Sequence, residues 1–279
     1  MSRRACVIGH PVAHSRSPLI HGYWLREHKI DGEYMREDVR PENIDRFLNR
    51  LAERYVGANV TIPHKEAAFA KLQHPDAIAQ ALGAANTLWF ENGALSGTST
   101  DVHGFLAHLD ASLPGWDRRT GTALVLGAGG ASRSIVYALL ERGVGRVVIA
   151  NRTNARAQAL ADRFGRRIAV VDWASISKVL ATAELLVNTT SLGMKGQPPL
   201  ALDLAPLKNS AAVYDIVYVP LETPLLAAAR ARGNPVVDGL GMLLHQAVPG
   251  FERWFGVRPI VTPALRMRLL ADLGETERP

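Results

Sequence analysis

Cysteine is almost missing: the 279 residues contain one, Cys6. Neither an intrachain disulfide nor a cysteine-rich metal site can be built from it. Long apolar runs are missing too. No uninterrupted stretch reaches the roughly 18 residues of a membrane span, so no membrane partner is expected. The apolar run at residues 5–9 stops at His10-Pro11, short of the ~7–15 residues of a secretory signal's hydrophobic region. A cytoplasmic location follows as the expectation. Aromatics make up only 6% of the chain, and its basic residues form no block. A nucleic-acid binder would cluster its cations and supply stacking rings, so the net charge of +6 points instead to arginines that meet a small anionic ligand. What is abundant is apolar material, 47% against 21% charged. That balance excludes disorder, and the length allows two domains, each with its own core.

Pattern sets the organisation. Residues 122–126 (TALVL) form a short apolar run ending in glycines, as a strand buried on both faces does. Residues 131–142 read as a helix closed by Gly143 as a left-handed cap. A strand at 146–150 and a helix capped by Thr153 or Asn154 and stopped at Gly165 come next. Further strands are expected at 168–171, 184–188, 212–217 and 235–237. Alternation of this kind predicts a doubly wound parallel sheet. The first hundred residues are α/β with less regular spacing. Strands are expected at 5–8, 33–38 and 57–61. Ser17 is expected to cap a helix with Pro18 in its first turn, and Asn92-Gly93 to turn a hairpin between 88–90 and 94–97. A mostly helical tail, 242–273, is expected to pack back on the first domain. The predicted division is 1–104 with 239–279 against 105–238.

The loop Gly127-Ala128-Gly129-Gly130-Ala131 lies between a predicted strand and a predicted helix. Small residues there let backbone N–H groups approach a pyrophosphate. Ser132 takes the third position of the Gly-x-Gly-x-x-Gly/Ala pattern. The next strand ends in Asn151-Arg152-Thr153, without the carboxylate that usually accepts from an NAD ribose hydroxyl. Arg152, with Arg156 one turn on and the Asn151 and Thr153 side chains, suits a 2′-phosphate. The cofactor expected is therefore NADP. A solvated arginine at a helix start is the plain alternative for either residue alone.

Four further segments place polar residues in loops: Ser15-Arg16-Ser17-Pro18, Asn59-Val60-Thr61-Ile62-Pro63-His64-Lys65, Gly83-Ala84-Ala85-Asn86-Thr87 and Thr100-Asp101. Singly each has a dull explanation as cap, turn or surface charge. As an ordered set with the glycine loop, they closely resemble the shikimate dehydrogenase family. Asn151-Arg152-Thr153, Tyr214-Asp215-Ile216-Val217-Tyr218, Gly239-Leu240-Gly241-Met242-Leu243 and Gln246-Ala247 extend the resemblance over nearly the whole chain.

The resemblance implies NADPH-linked reduction of 3-dehydroshikimate to shikimate in aromatic amino-acid biosynthesis. It also implies an α/β substrate domain completed by the C-terminal helices, with a Rossmann domain between. It puts Ser15 and Ser17 on the substrate carboxylate with Tyr218 nearby. Thr61, Asn86, Asp101 and Gln246 would hold ring hydroxyls, and Lys65 would stand beside the reacting oxygen. Gly127 to Ala131, Asn151 to Thr153 and Arg156 would bind the dinucleotide, and Gly239 with Met194 would line the nicotinamide pocket. No metal is required. The partner implied is a small-molecule substrate, and a homodimer is left open. Ser99 and Ala77 depart from the residues usual in the family. Lys65 and Asp101 suit the chemistry, because hydride arriving at a ketone leaves an alkoxide that needs a proton and a nearby positive charge. Two other readings remain: a quinate/shikimate dehydrogenase with altered preference, and a dinucleotide-binding regulatory protein without turnover.

Overall fold

The computed structural model describes residues 2–276. Met1 and residues 277–279, the outer ends of the expected substrate-binding half, lie outside them. The chain divides into two compact units. One comprises the residues up to Gly104 with Leu244–Leu269; the other is Phe105–Leu243 with the residues from Leu270 onward.

The first unit is built on a six-stranded mixed sheet. Its strands are β1 (Arg3–Gly9), β2 (Gly32–Asp38), β3 (Gly57–Val60), β4 (His74–Pro75), β5 (Thr87–Glu91) and β6 (Ala94–Thr98), in the order β2-β1-β3-β5-β6-β4. Strand β1 pairs parallel with β2 and β3, whereas β5 runs antiparallel to β3 and β6. Cys6 and Ile8 bury one side of β1 among Leu48, Leu51, Val60, Leu88 and Leu95. The tail helix Val248–Phe255 brings Phe251 and Trp254 into the same unit, and Trp254 Nε1 donates to the Leu88 carbonyl at 2.8 Å. In the β5–β6 hairpin Glu91 pairs with Ala94, and Asn92 and Gly93 both take positive φ, 52° and 80°. That is the geometry which the Asn-Gly pair predicts.

One expected cap is corrected. Arg16, not Ser17, holds the cap position of the helix Ser17–Glu27. The Arg16 carbonyl already accepts from the Leu19 and Ile20 N–H groups at 3.0 and 3.2 Å, so helical bonding starts there. Ser15 Oγ then accepts the Ser17 N–H at 3.3 Å.

The second unit carries a parallel sheet of β7 (Thr122–Leu126), β8 (Arg146–Ala150), β9 (Ile168–Val171), β10 (Leu185–Asn188), β11 (Ala212–Asp215) and β12 (Val236–Val237). Their order is β12-β11-β10-β7-β8-β9. Counted from β7, this is the 3-2-1-4-5-6 arrangement of doubly wound dinucleotide folds. The strands bury Leu124, Leu126, Val148, Leu186 and Val213 completely or nearly so, which explains their unbroken apolar runs. Gly143, at φ 81°, ends the helix Gly130–Glu141 as expected. Thr153 stands at the cap of the helix Asn154–Phe164 but makes no side-chain cap bond, and the Asn154 amide instead donates to Asp172 at 3.0 Å. The strand order reverses between β7 and β10, and ligands of such sheets sit at the carboxyl ends of the strands there.

Candidate active site

In the first unit β3 leads into the turn Thr61–His64, and the helix Lys65–Ala70 starts at Lys65. His64 is buried and donates through Nε2 to the Val39 carbonyl at 2.6 Å, which pins the turn. Thr61 is half-buried, and Ile62 beside it is 74% exposed. Lys65 Nζ donates to Asp101 Oδ2 at 2.6 Å. The two side chains are 27% and 15% exposed, shielded from bulk water yet open to a small molecule.

Asp101 is fixed from its other oxygen, where Asn86 Nδ2 donates to Oδ1 at 2.9 Å. Asn86 is 4% exposed, and its Oδ1 accepts from the Thr100 N–H at 2.8 Å and the Thr87 hydroxyl at 2.9 Å. Behind them, Asn59 Nδ2 donates to Thr87 Oγ1 at 3.0 Å, and Tyr34 Oη donates to Asn59 Oδ1 at 2.5 Å. A continuous hydrogen-bonded chain thus runs from a buried phenol to the lysine. Asn86, expected on a substrate hydroxyl, gives one amide proton to Asp101 and keeps one for a ligand. The Thr100 hydroxyl donates to Gln246 Oε1 at 3.4 Å, which joins Gln246 to the same group. His245 next to it is pushed down to about 4 by burial and by His103, so it is neutral at physiological pH. Ser15 is half-buried and Ser17 buried, and the Arg36 guanidinium donates to the Ser15 carbonyl at 2.7 and 3.1 Å. Tyr34 carried no signal in the sequence. It lies on a strand and meets Asn59 only through the fold.

In the second unit the glycine loop follows β7. Gly127 has φ 107°, and a Cβ there would lie 2.6 Å from Thr189 Oγ1. Only glycine suits both demands. Cβ atoms at Gly129 and Gly130 would meet nothing within 4 Å, so open space lies in front of the loop. Ala128 and Ala131 are half-buried on either side of it. Ser132, the odd residue of the motif, is wholly buried; its Oγ accepts the Gly129 N–H at 3.0 Å and lies 2.6 Å from Thr189 Oγ1. A small polar residue therefore serves the close helix–strand packing that the motif needs.

Asn151 Nδ2 donates to the Thr153 carbonyl at 2.8 Å, shaping the turn after β8. Arg152, Thr153 and Arg156 are exposed, and neither guanidinium has a hydrogen-bond or ion-pair partner among the described residues. Asn151 and Arg152 line a cavity of about 430 Å³ with Trp173, Thr190, Ser191 and Leu192. Open space before the glycines, unpaired cations and no carboxylate at the end of β8 all fit a phosphorylated dinucleotide. Met194 is 40% exposed on the loop beyond Leu192. Gly239 is buried where a Cβ would lie 2.1 Å from the Ile216 carbonyl oxygen, so the chain cannot carry a side chain there. Tyr218 is half-buried and belongs to this unit, whereas Ser15 and Ser17 belong to the first.

Known proteins place this geometry. A shikimate dehydrogenase substrate-binding domain model matches residues 7–88, a shikimate/quinate 5-dehydrogenase model residues 111–195, and a shikimate 5′-dehydrogenase C-terminal domain model residues 239–262. The chain is 59% identical to a shikimate dehydrogenase (NADP(+)) of Azorhizobium caulinodans, covering 98% of this chain and 97% of the relative. It is 60% identical to that of Rhodopseudomonas palustris, with 98% of each chain covered. Among solved structures, shikimate 5-dehydrogenase of Thermus thermophilus in complex with NADP(H) and shikimate superposes with a TM-score of 0.86 at 37% identity, over 97% of this chain and 99% of that one. Quinate dehydrogenase of Corynebacterium glutamicum in complex with NAD gives 0.89 at 33% identity, over 97% and 99%. The glycine loop, the lysine–aspartate pair and the strand order thus sit in a chain that belongs to the shikimate dehydrogenase family.

Proposed function

We infer that the chain is an NADP-dependent shikimate dehydrogenase, reducing 3-dehydroshikimate reversibly to shikimate on the route to aromatic amino acids. The observation that carries the residue assignment is the Lys65–Asp101 contact, held from behind by Asn86. The first unit serves as the substrate domain and the second as the dinucleotide domain. When bound, NADPH supplies the hydride. Lys65 Nζ would deliver a proton to the ketone oxygen as that oxygen takes up negative charge. In the oxidative direction Lys65 takes that proton back. Asp101 keeps the ammonium in line and offsets its charge, and Asn86 keeps Asp101 in line. Thr61, Asn86 and Gln246 hold the ring hydroxyls, and Ser15 and Ser17 hold the carboxylate; Tyr218 is a further substrate-binding residue in this proposal.

On the cofactor side, Gly127 to Ala131 receive the pyrophosphate, and Gly239 with Met194 forms the nicotinamide wall. Arg152 and Arg156 meet the 2′-phosphate, with Asn151 and Thr153 shaping their turn. No helix among the described residues is long and apolar enough to cross a membrane. Placement in the cytoplasm and assembly as a homodimer are parts of this proposal, the second tested by light scattering of the purified chain. The deciding assay is a matrix of shikimate and quinate, each with NADP and NAD. The highest kcat/KM is expected for shikimate with NADP. A maximum for quinate with NAD would overturn the reading, and no turnover with any pair would favour a regulatory protein.

A further inference from the structure

Asp215 is a buried carboxylate with no ion-pair partner among the described residues. It stands at the end of β11, wholly inaccessible, and its oxygens take three hydrogen bonds. Oδ1 accepts from Asn188 Nδ2 at 2.9 Å and from the Val217 N–H at 3.0 Å. Oδ2 accepts from the Thr223 hydroxyl at 2.7 Å. Burial pushes this carboxyl up to about 6 despite the three donors. A group kept inside at such a penalty points to a task beyond packing.

The task is legible in Asn188, which is equally buried at the end of the neighbouring strand β10. Its Oδ1 accepts from the Thr190 N–H at 3.0 Å and the Thr190 hydroxyl at 2.7 Å. Its Nδ2 reaches the Leu192 carbonyl at 3.2 Å, and Thr190 Oγ1 accepts the Leu192 N–H at 3.1 Å. One amide group therefore ties down both ends of the segment Thr190–Leu192. That segment walls the cavity shared with Asn151 and Arg152. An amide has nearly isosteric ends, so packing alone does not choose which way it points. An ionised carboxylate accepts and cannot donate. Asp215 therefore acts with the Thr190 N–H and the Leu192 carbonyl, drawing the NH₂ end of Asn188 toward itself and keeping the oxygen on Thr190.

We propose that Asp215 is a positioning residue for the cofactor, orienting the Asn188 amide and through it the Thr190–Leu192 wall of the NADP pocket. The proposal rests on the reading that this cavity beside Arg152 receives NADP. Asparagine at 215 would keep an acceptor toward Asn188 and Val217 and turn its own NH₂ toward Thr223 Oγ1, so Asp215→Asn serves as the conservative rescue.

The test measures NADP⁺ dissociation constants, melting temperatures and the shikimate KM at saturating NADP⁺ for Asp215→Ala, Asp215→Asn and Arg152→Ala. Asp215→Ala is expected to weaken NADP⁺ by about tenfold or more with an unchanged shikimate KM, and Asp215→Asn to restore binding to within about threefold. Should Asp215→Ala fail to fold, Asn188→Ala cuts the same relay one residue on and is expected to show the same loss. Parent-like NADP⁺ affinity in these alanine variants, with only a lowered melting temperature, overturns the proposal. Parent-like affinity in Arg152→Ala overturns the pocket reading instead, so the two failures are distinct.

Discussion

Lys65 Nζ and Asp101 Oδ2 are 2.6 Å apart, and the far oxygen of the same carboxylate is held by Asn86 at 2.9 Å. An ammonium with one N–H committed to Asp101 has two left, either of which can go to a substrate oxygen. Lys65→Met is expected to lower kcat by about 10²–10⁴-fold, with a much smaller change in shikimate affinity. Asp101→Asn should also damage turnover. Because the two act as one unit, the double variant should lose far less than the product of the single losses. Steady-state kinetics with a binding titration check this, and near-parental kcat in Lys65→Met would sink the assignment.

The parts of this molecule that were legible in its sequence are local ones. The glycine loop between strand and helix, the Asn92-Gly93 turn and the left-handed Gly143 each follow from what a few neighbouring residues can adopt. The Tyr34–Asn59–Thr87–Asn86 chain was not legible as a chain. Its bonds join residues 25 and 28 positions apart, and no pattern of spacing encodes them. Asp215 lies in a segment that the sequence singles out, but its pairing with Asn188 was not legible for the same reason, since the two are partners across adjacent strands 27 positions apart. The cap at Arg16 was missed because a serine before a proline looks like a cap, whereas the backbone had already started its helical bonds one residue earlier.

Arg152 is exposed just beyond β8, and its guanidinium is unpaired among the described residues. A charge-assisted hydrogen bond to a 2′-phosphate is worth roughly 1.5–3 kcal/mol. Arg152→Ala should therefore weaken NADP⁺ by about 10- to 150-fold and leave NAD⁺ nearly unchanged, as read by titration of both cofactors. Equal losses for the two would mean that the arginine supports the fold rather than the phosphate.

Ser15 does two things at once. Its hydroxyl accepts the Ser17 N–H at 3.3 Å, and we assign it to the substrate carboxylate. Ser15→Ala should raise the shikimate KM by up to about tenfold and also lower stability, by about 0.5–2 kcal/mol if the bond acts as a cap does. Ser17 is buried and its hydroxyl is hydrogen-bonded to Tyr34, so Ser17→Ala should raise KM and also lower stability, by about 0.5–1.5 kcal/mol for the lost bond. An unchanged KM in both variants would place the carboxylate site elsewhere.

His21 is wholly buried in an aromatic nest, stacked on Tyr34 at 4.0 Å with Trp24, Phe251 and Trp254 around it. Burial pushes its pKa down to about 3, against about 6.5 in an unfolded chain. Between those values the unfolded state binds the proton and the folded state does not. Stability from the neutral ring is therefore complete above pH 6.5 and is lost as the pH falls toward 3. Asp215 acts in the opposite sense, since its raised carboxyl favours the folded state at low pH and loses that contribution as the pH rises toward 6. Comparing the parent with His21→Phe cancels Asp215 and isolates the histidine. Phenylalanine removes the titrating nitrogens, with an overpacking penalty of roughly 1–3 kcal/mol that does not vary with pH. In urea unfolding at pH 8, 6 and 4.5, the parent should lose ground to the variant by about 2–3 kcal/mol at pH 4.5 relative to pH 8. Stability curves that stay parallel down to pH 4.5 would show that the ring accepts a proton in the folded protein as readily as in the unfolded chain.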